Sequence, residues 1–198
     1  MDKQINYNFP FFGPFIMQTR ITKEEIKALK KLCKKDKKKD ARKHLAGHLD
    51  NEYDIDVQKY QDIIMGYLEA YRDGYHKFYG RPLGRLITSG AWVNYMVAGD
   101  YNPPHVHTKC NFSSVLYTDI PKALIKEGED FAGQSYLPGS LVFQVFPYQS
   151  PLSVGRQGYF PREGDLYIFP YNTQHEVVPF KSKGTRVSIA ANFRIEAR

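Results

Sequence analysis

Along the first 80 or so residues, apolar positions recur every three to four. Thr22, with Glu25 three residues on, makes a capping box. Ile26, Leu29 and Leu32 then follow at helical spacing until a lysine run interrupts them. A longer stripe, Val57, Tyr60, Ile64, Tyr67, Leu68, Tyr71, Tyr75 and Phe78, keeps to one face for several turns. It predicts a long helix whose aromatic face is laid against a sheet. From Leu83 the period switches to two. The segments LITSGAWVNYMVAG, SSVLYTDIP, GSLVFQVFPY, DLYIFP, HEVVPF and TRVSIAANFRI are short and cut by glycine and proline. Many short strands of this kind predict a sandwich, jelly roll or barrel. Between them, KALIKEGEDFAGQSYLPG reads as a long surface loop.

Composition narrows the class without changing this picture. A chain of 198 residues suits one domain with a sizeable core. With 42% hydrophobic and 15% aromatic residues it is not a disordered chain. No apolar run approaches the ~20 residues that cross a bilayer, so no membrane partner is expected. The start, MDKQINYNFPFFGPF, has an acidic second residue and polar breaks in place of a secretory leader. Cys33 and Cys110 stand in unlike contexts, which suggests reduced thiols and a cytoplasmic setting, bacterial or that of an infected host. The formal charge of +7 is concentrated in KALKKLCKKDKKKDARKH, residues 27–44. A lysine run without interleaved aromatics or glycines reads as a solvated helix end or loop more readily than as a nucleic-acid surface. Neither a Gly-x-Ser-x-Gly elbow nor a glycine-rich nucleotide loop occurs.

Candidate chemistry begins at YNPPHVHTKC, residues 101–110. In an extended segment, side chains at i and i+2 point the same way, roughly 7 Å apart, so His105 and His107 reach toward one point. Neutral imidazoles are common ligands of divalent first-row metals, although a His-x-His pair alone is a weak signal. The second half of a site lies in PREGDLYIFPYNTQHEVVPF. There Gly164 ends a turn, Asp165 to Phe169 form a strand, Pro170 to Gln174 connect, and His175 opens the next strand. A third histidine at a barrel mouth completes a facial set with open positions, which suits non-haem Fe(II). His44, His48 and His76 lack such spacing and read as surface or packing residues. In TRVSIAANFR, Arg186, Ser188, Ala190 and Asn192 share one strand face; Val187, Ile189, Ala191 and Phe193 share the other. An inward arginine is costly unless an anion meets it. A ligand carboxylate and a structural salt bridge both answer that requirement.

WVNYMVAGDYNPPHVH, SSVLYTDIP, REGDLYIFPYNTQHEV and TRVSIAANF, spanning about Trp92 to Phe193, resemble the 2-oxoglutarate- and Fe(II)-dependent oxygenase superfamily. Within it they are most similar to prolyl-hydroxylase-like proteins of phage and marine bacteria. The resemblance implies a mainly β protein with flanking helices (α+β): a double-stranded β-helix (jelly roll) over 83–198, with a helical support region over 20–80 packed on its sheet. It implies Fe(II), 2-oxoglutarate as cosubstrate, and ascorbate as reductant. His105 and His175 would be iron ligands, and Arg186 with Ser188 would hold the distal carboxylate of 2-oxoglutarate. Tyr95, ten residues before His105, matches a tyrosine that contacts 2-oxoglutarate in related hydroxylases. Tyr117 is the other candidate for that contact. The implied reaction is hydroxylation of a peptide or protein, a prolyl residue foremost, or of a small molecule.

One position departs from the pattern. The superfamily's proximal motif is His-x-Asp/Glu, and here the carboxylate position is His107. A neutral ligand set bears on anion affinity, redox tuning and metal choice. Glu176, adjacent to His175 on a strand, should face away, and Asp100 lies in the loop before the motif. Two other readings stay open. Cupins use the same barrel, and Gly99 followed by His105-Val-His107 matches the opening of their first motif. Asn111 and Phe112, however, occupy the region of its glutamate, and a cupin does not require Arg-x-Ser. The remaining reading is a catalytically silent barrel, a binding module that keeps its histidines as core residues.

Overall fold

A computed structural model describes residues 13–145 and 154–196. Most of the N-terminal segment read for a leader, and the end of GSLVFQVFPY, lie outside the described residues.

The helical expectations are met by local chemistry. Helix α1 (Lys23–Lys30) starts at Thr22, whose hydroxyl accepts from the Glu25 N–H at 3.2 Å while the Glu25 carboxylate accepts from the Thr22 N–H at 2.8 Å. Such a cap contributes about 1 kcal/mol. Helix α2 (Val57–Tyr79) is capped by Asp56, which accepts from the Lys59 N–H, and ends at Gly80 with φ +66°. Only glycine adopts that left-handed turn freely. Tyr60, Ile64, Leu68 and Tyr71 on the predicted stripe are buried, each stabilising by about 1.5–3 kcal/mol.

Ten antiparallel strands among the described residues form two sheets. The larger has the order β1 (Met17–Arg20), β8 (Asp165–Pro170), β5 (Phe112–Asp119), β10 (Arg186–Ile195), β3 (Leu86–Met96), β2 (Glu52–Asp54). The smaller has the order β4 (Asn102–His105), β9 (Gln174–Val177), β6 (Leu141–Gln144), β7 (Arg156–Tyr159). Together they are the expected jelly roll. Alternation on β10 is as the sequence pattern predicts. Ile189, Ala191 and Phe193 join the core under α1 and α2, while Arg186, Ser188, Ala190 and Asn192 line a cavity between the sheets. A second core contains Tyr117, Leu141, Phe143, Tyr167 and Phe169.

Several elements escape the pattern, among them β7, which falls in none of the segments read as strands. Strands β1 and β2 lie before Leu83, where only helices were expected, and extend opposite edges of the larger sheet by pairing with β8 and β3. They are three or four residues long, too short for a period of two to register. The stretch read as a long loop contains helix α3 (Lys122–Glu129), which buries Leu124 alone and carries Gly128 in its interior. Eight residues with a glycine among them and no side-chain cap at Pro121 give the sequence few marks of a helix.

Register across the larger sheet organises the cavity wall. Tyr117, Ser188, Asn94 and Glu52 stand opposite one another in turn on β5, β10, β3 and β2. The adjacent inward rung is Val115, Ala190, Trp92 and Asp54. Cys33 and Cys110 are free thiols. No helix among the described residues is long and apolar enough to cross a membrane.

Candidate metal centre

Strands β4 and β9 pair antiparallel with His105 opposite His175, which brings their ring centroids to 4.3 Å. His107 lies just past β4, where its N–H donates to the Tyr171 carbonyl at 3.0 Å. Its ring is stacked on His175, with Nε2 3.3 Å from the Nε2 of His175. One ligand atom from each of the three lies within 4.8 Å of the others. The spacing of His105 and His107 thus converges as expected, and the distal histidine completes the set.

Backbone carbonyls prepare the rings. His105 Nδ1 is 2.7 Å from the Pro103 carbonyl and His175 Nδ1 is 2.9 Å from the Thr173 carbonyl. A carbonyl only accepts, so the proton sits on Nδ1 and Nε2 keeps its lone pair for the centre. Asn192, beside His107, opposes the lowering of its pKa, and its amide oxygen accepts from Ser113 at 2.8 Å. Burial holds all three histidines below their ordinary pKa. His105 is lowered, His107 is pushed down to about 4 with His105 adding to the effect, and His175 lies well below the usual range, helped by both neighbours. Neutral imidazole is the ligating form. The donor set therefore suits a divalent metal: two metal–nitrogen bonds of about 2.1 Å at a right angle place their nitrogens about 3 Å apart.

Beside the histidines, a cavity of about 460 Å³ reaches Arg186 and Ser188. Arg186 is 1% exposed. Its Nη2 donates to the Tyr117 hydroxyl at 3.0 Å, its Nη1 lies 3.1 Å from Met96 Sδ, and its Nε has no partner. Among the described residues no salt bridge involves Arg186. The structural ion pair is thus set aside, and a buried guanidinium that lacks a counter-charge suits an anionic ligand.

Of the two tyrosine candidates, the structure brings Tyr117 to Arg186 and keeps Tyr95 away. Even-numbered Asn94 and Met96 face inward on β3, so Tyr95 faces the helices. It packs edge-on to Tyr53 with Lys35 Nζ 4.9 Å above its ring. Counting residues back from His105 ignored this parity. Glu176 turns outward to pair with Arg156, as expected, and Asp100 accepts from the Val97 N–H within its own turn. His44, read as a surface or packing residue, lines the cavity, as do Ala41 at the end of the lysine-rich stretch and Leu45, Ala46 and Gly47 just past it. Sequence reasoning missed Glu52 and Asn94. Both are buried on the cavity wall, with Glu52 Oε2 and Asn94 Oδ1 unpartnered. Their strand pairing, which no periodicity reveals, is what puts them there.

A jelly roll with three convergent neutral imidazoles beside a buried, unpaired arginine fits a metal-dependent oxygenase of the double-stranded β-helix class. The 2OG-Fe(II) oxygenase family model matches residues 90–192, more than half of the chain, and the chain belongs to that family. Its cofactors are accordingly Fe(II) and 2-oxoglutarate, and the cupin reading falls. Among solved structures the chain is similar to a Pseudomonas putida prolyl-4-hydroxylase (17% identity, TM-score 0.59, covering 92% of this chain and 93% of that one). It is also similar to the viral collagen prolyl hydroxylase of Paramecium Bursaria Chlorella virus-1 in its 2OG complex (12%, 0.58, 91% and 96%). A third is the non-heme alpha ketoglutarate dependent epimerase SnoN from nogalamycin biosynthesis (14%, 0.56, 90% and 78%). At these identities the likeness is one of fold. No curated protein matches the sequence.

Proposed function

We propose that this protein is a hydroxylase in which His105, His107 and His175 hold Fe(II), and Arg186 with Ser188 holds the distal carboxylate of 2-oxoglutarate. The observation that carries the reading is the fully buried, unpaired Arg186 on the same cavity wall as three neutral imidazoles. When bound, Fe(II) with 2-oxoglutarate and dioxygen supplies the oxidation of a substrate C–H bond to an alcohol, with succinate and carbon dioxide released. The chain's own residues do the positioning. Arg186 neutralises the distal carboxylate in a site where water cannot, and the Tyr117 hydroxyl, accepting from Nη2, aims the guanidinium. Asn192 stands beside the His107 ring, and Trp92, Phe169 and Leu141 add apolar lining to the same cavity. The prolyl hydroxylase fold supports a peptide or protein prolyl residue as one substrate and leaves a small molecule as another. Ascorbate serves as the reductant that maintains ferrous iron.

The test is succinate formation by the purified protein with Fe(II), ascorbate and 2-oxoglutarate, compared among wild type, His107→Ala and His107→Asp. Succinate lost in the alanine variant and retained in the aspartate variant supports His107 as a ligand. Wild type that binds metal but neither binds 2-oxoglutarate nor forms succinate overturns the reading in favour of a silent barrel.

A further inference from the structure

The rung of side chains that holds Tyr117 and Ser188 continues past the cosubstrate end of the cavity. It runs through Asn94 to Glu52 on β2, two strands from Ser188 and so about 10 Å away at the usual strand spacing. Glu52 is 2% exposed and Asn94 is 5% exposed. Glu52 Oε2 and Asn94 Oδ1 are buried acceptors without a donor, and both residues line the cavity. The chain from Ala41 to Gly47 roofs them closely: a Cβ on Gly47 would sit 3.0 Å from Glu52 Oε1 and 2.4 Å from Asn102 Oδ1. Glu52 is therefore a recessed carboxyl inside the cavity and not part of its solvated rim.

Among the described residues no cation forms an ion pair with this carboxyl. Arg42, whose charge reaches Glu52, is itself clasped by Asp40 through Nε and Nη2. Asp54, on the adjacent inward rung of the same strand, adds a second carboxylate to the wall. The cavity is thus polarised, with an unpaired guanidinium at one end and unpaired acceptors at the other. Any donor can pair with these acceptors, but a cationic one meets a buried carboxylate most strongly, since charge-assisted hydrogen bonds are about twice as strong as neutral ones. A group without a donor leaves the acceptors unpaired, and an anion is repelled.

We infer that Glu52, flanked by Asn94 and Asp54, determines substrate specificity by receiving a protonated amine or guanidinium on the molecule to be oxidised. This rests on the oxygenase reading and gives it a substrate class. Free basic amino acids share this chemistry with lysyl and arginyl side chains of peptides, whereas an internal prolyl residue offers Glu52 no donor.

The experiment is calorimetric titration of the full chain, first metal-free and then with Mn(II) and 2-oxoglutarate. The cationic probes are L-arginine, L-lysine, acetyl-Gly-Arg-Gly-amide and acetyl-Gly-Lys-Gly-amide; acetyl-Gly-citrulline-Gly-amide and acetyl-Gly-Pro-Gly-amide are the neutral ones. At least one cationic probe should bind about tenfold or more tighter than the neutral ones, since a hydrogen bond to a charged group commonly contributes that much. Glu52→Gln should erase the preference, and Asp54→Asn, at an exposed position, should weaken it several-fold and stands in if Glu52→Gln does not fold. Tighter binding of the free or of the peptide-borne group identifies the source. Equal affinity for neutral and cationic probes, no binding of any cationic probe, or unchanged selectivity in the variants overturns the inference. Binding of 2-oxoglutarate to the Mn(II) protein, measured before any probe is added, separates the two readings: its failure counts against the oxygenase assignment and leaves probe selectivity to be judged alone.

Discussion

His105 and His175 are cross-strand partners, and each hydrogen-bonds through Nδ1 to the backbone carbonyl two residues before it, Pro103 in one case and Thr173 in the other. The same local device therefore turns both Nε2 atoms toward one point before any metal arrives. Preorganisation of this kind makes metal binding a stabilising event for the native state. A ligand at a hundredfold excess over its Kd stabilises by about 2.7 kcal/mol. Mn(II) should accordingly raise the Tm of wild type, and the rise should vanish in His105→Ala and His175→Ala. Thermal unfolding with and without the metal checks this; a variant that still responds is not missing a ligand.

Asn192 acts on the same centre through His107. With its amide oxygen held by Ser113, its side chain stands next to a ring that lies outside any strand and has no backbone carbonyl of the kind that fixes the other two. Loss of an orienting partner commonly lowers metal affinity about 10- to 100-fold. Asn192→Ala should show a fall of that size in a Mn(II) titration while its far-UV circular dichroism stays that of wild type. Unaltered affinity would mean that stacking on His175 suffices to place the ring.

Arg186 separates function from structure. A buried charge kept only for stability should be missed when it is removed, whereas one awaiting an anion is a liability in the free protein. Replacing buried ionic groups by apolar ones of similar volume is often neutral or stabilising by about 1–4 kcal/mol. Arg186→Met should therefore unfold at the same or a higher temperature than wild type, retain metal binding and lose 2-oxoglutarate binding. Denaturation and cosubstrate titration on the same preparation distinguish this from a structural arginine, whose loss would depress stability first.

Much of this was legible in the chain because the informative spacings are local. A period of two over TRVSIAANFR determines which of its residues share the cavity, and parity within one strand does not depend on what the strand pairs with. The histidines were found for a related reason, since His-Val-His and the turn before His175 each lie in one short segment. What stayed hidden depends on pairing between distant segments. Tyr95 has the right residue type at a plausible distance from His105, and only the facing of β3 shows it against the helices. Glu52 sits in a three-residue strand inside a stretch dominated by helical and lysine-rich signals, and reaches the cavity only because β2 adds to the edge of β3. A buried acidic side chain also carries no mark in the sequence that separates it from an exposed one.

Glu52 provides a pH signature of its own. Burial raises its pKa from the ordinary 4.5 to about 7, with Asp100 and Asp40 adding to the shift and Arg42 opposing it. Between those two values the folded state binds more protons than the unfolded state. The stabilising contribution of the neutral acid is complete below pH 4.5 and is lost as pH rises through 7, a difference of about 3 kcal/mol. Glu52→Gln cannot titrate, so its advantage over wild type should be small near pH 5 and largest near pH 8, a rise in Tm of roughly 5–10 °C for a chain of this size. The buried histidines contribute with the opposite sign, His107 losing stability as pH falls from 6.5 toward 4, but they are common to both proteins and cancel in the comparison. Thermal unfolding of the metal-free proteins at the two pH values is the measurement; a gain of equal size at both would show that the carboxyl does not change its charge between them. A saturating cationic ligand should draw the Glu52 pKa back down, and wild type would then gain stability at pH 8 that Glu52→Gln does not.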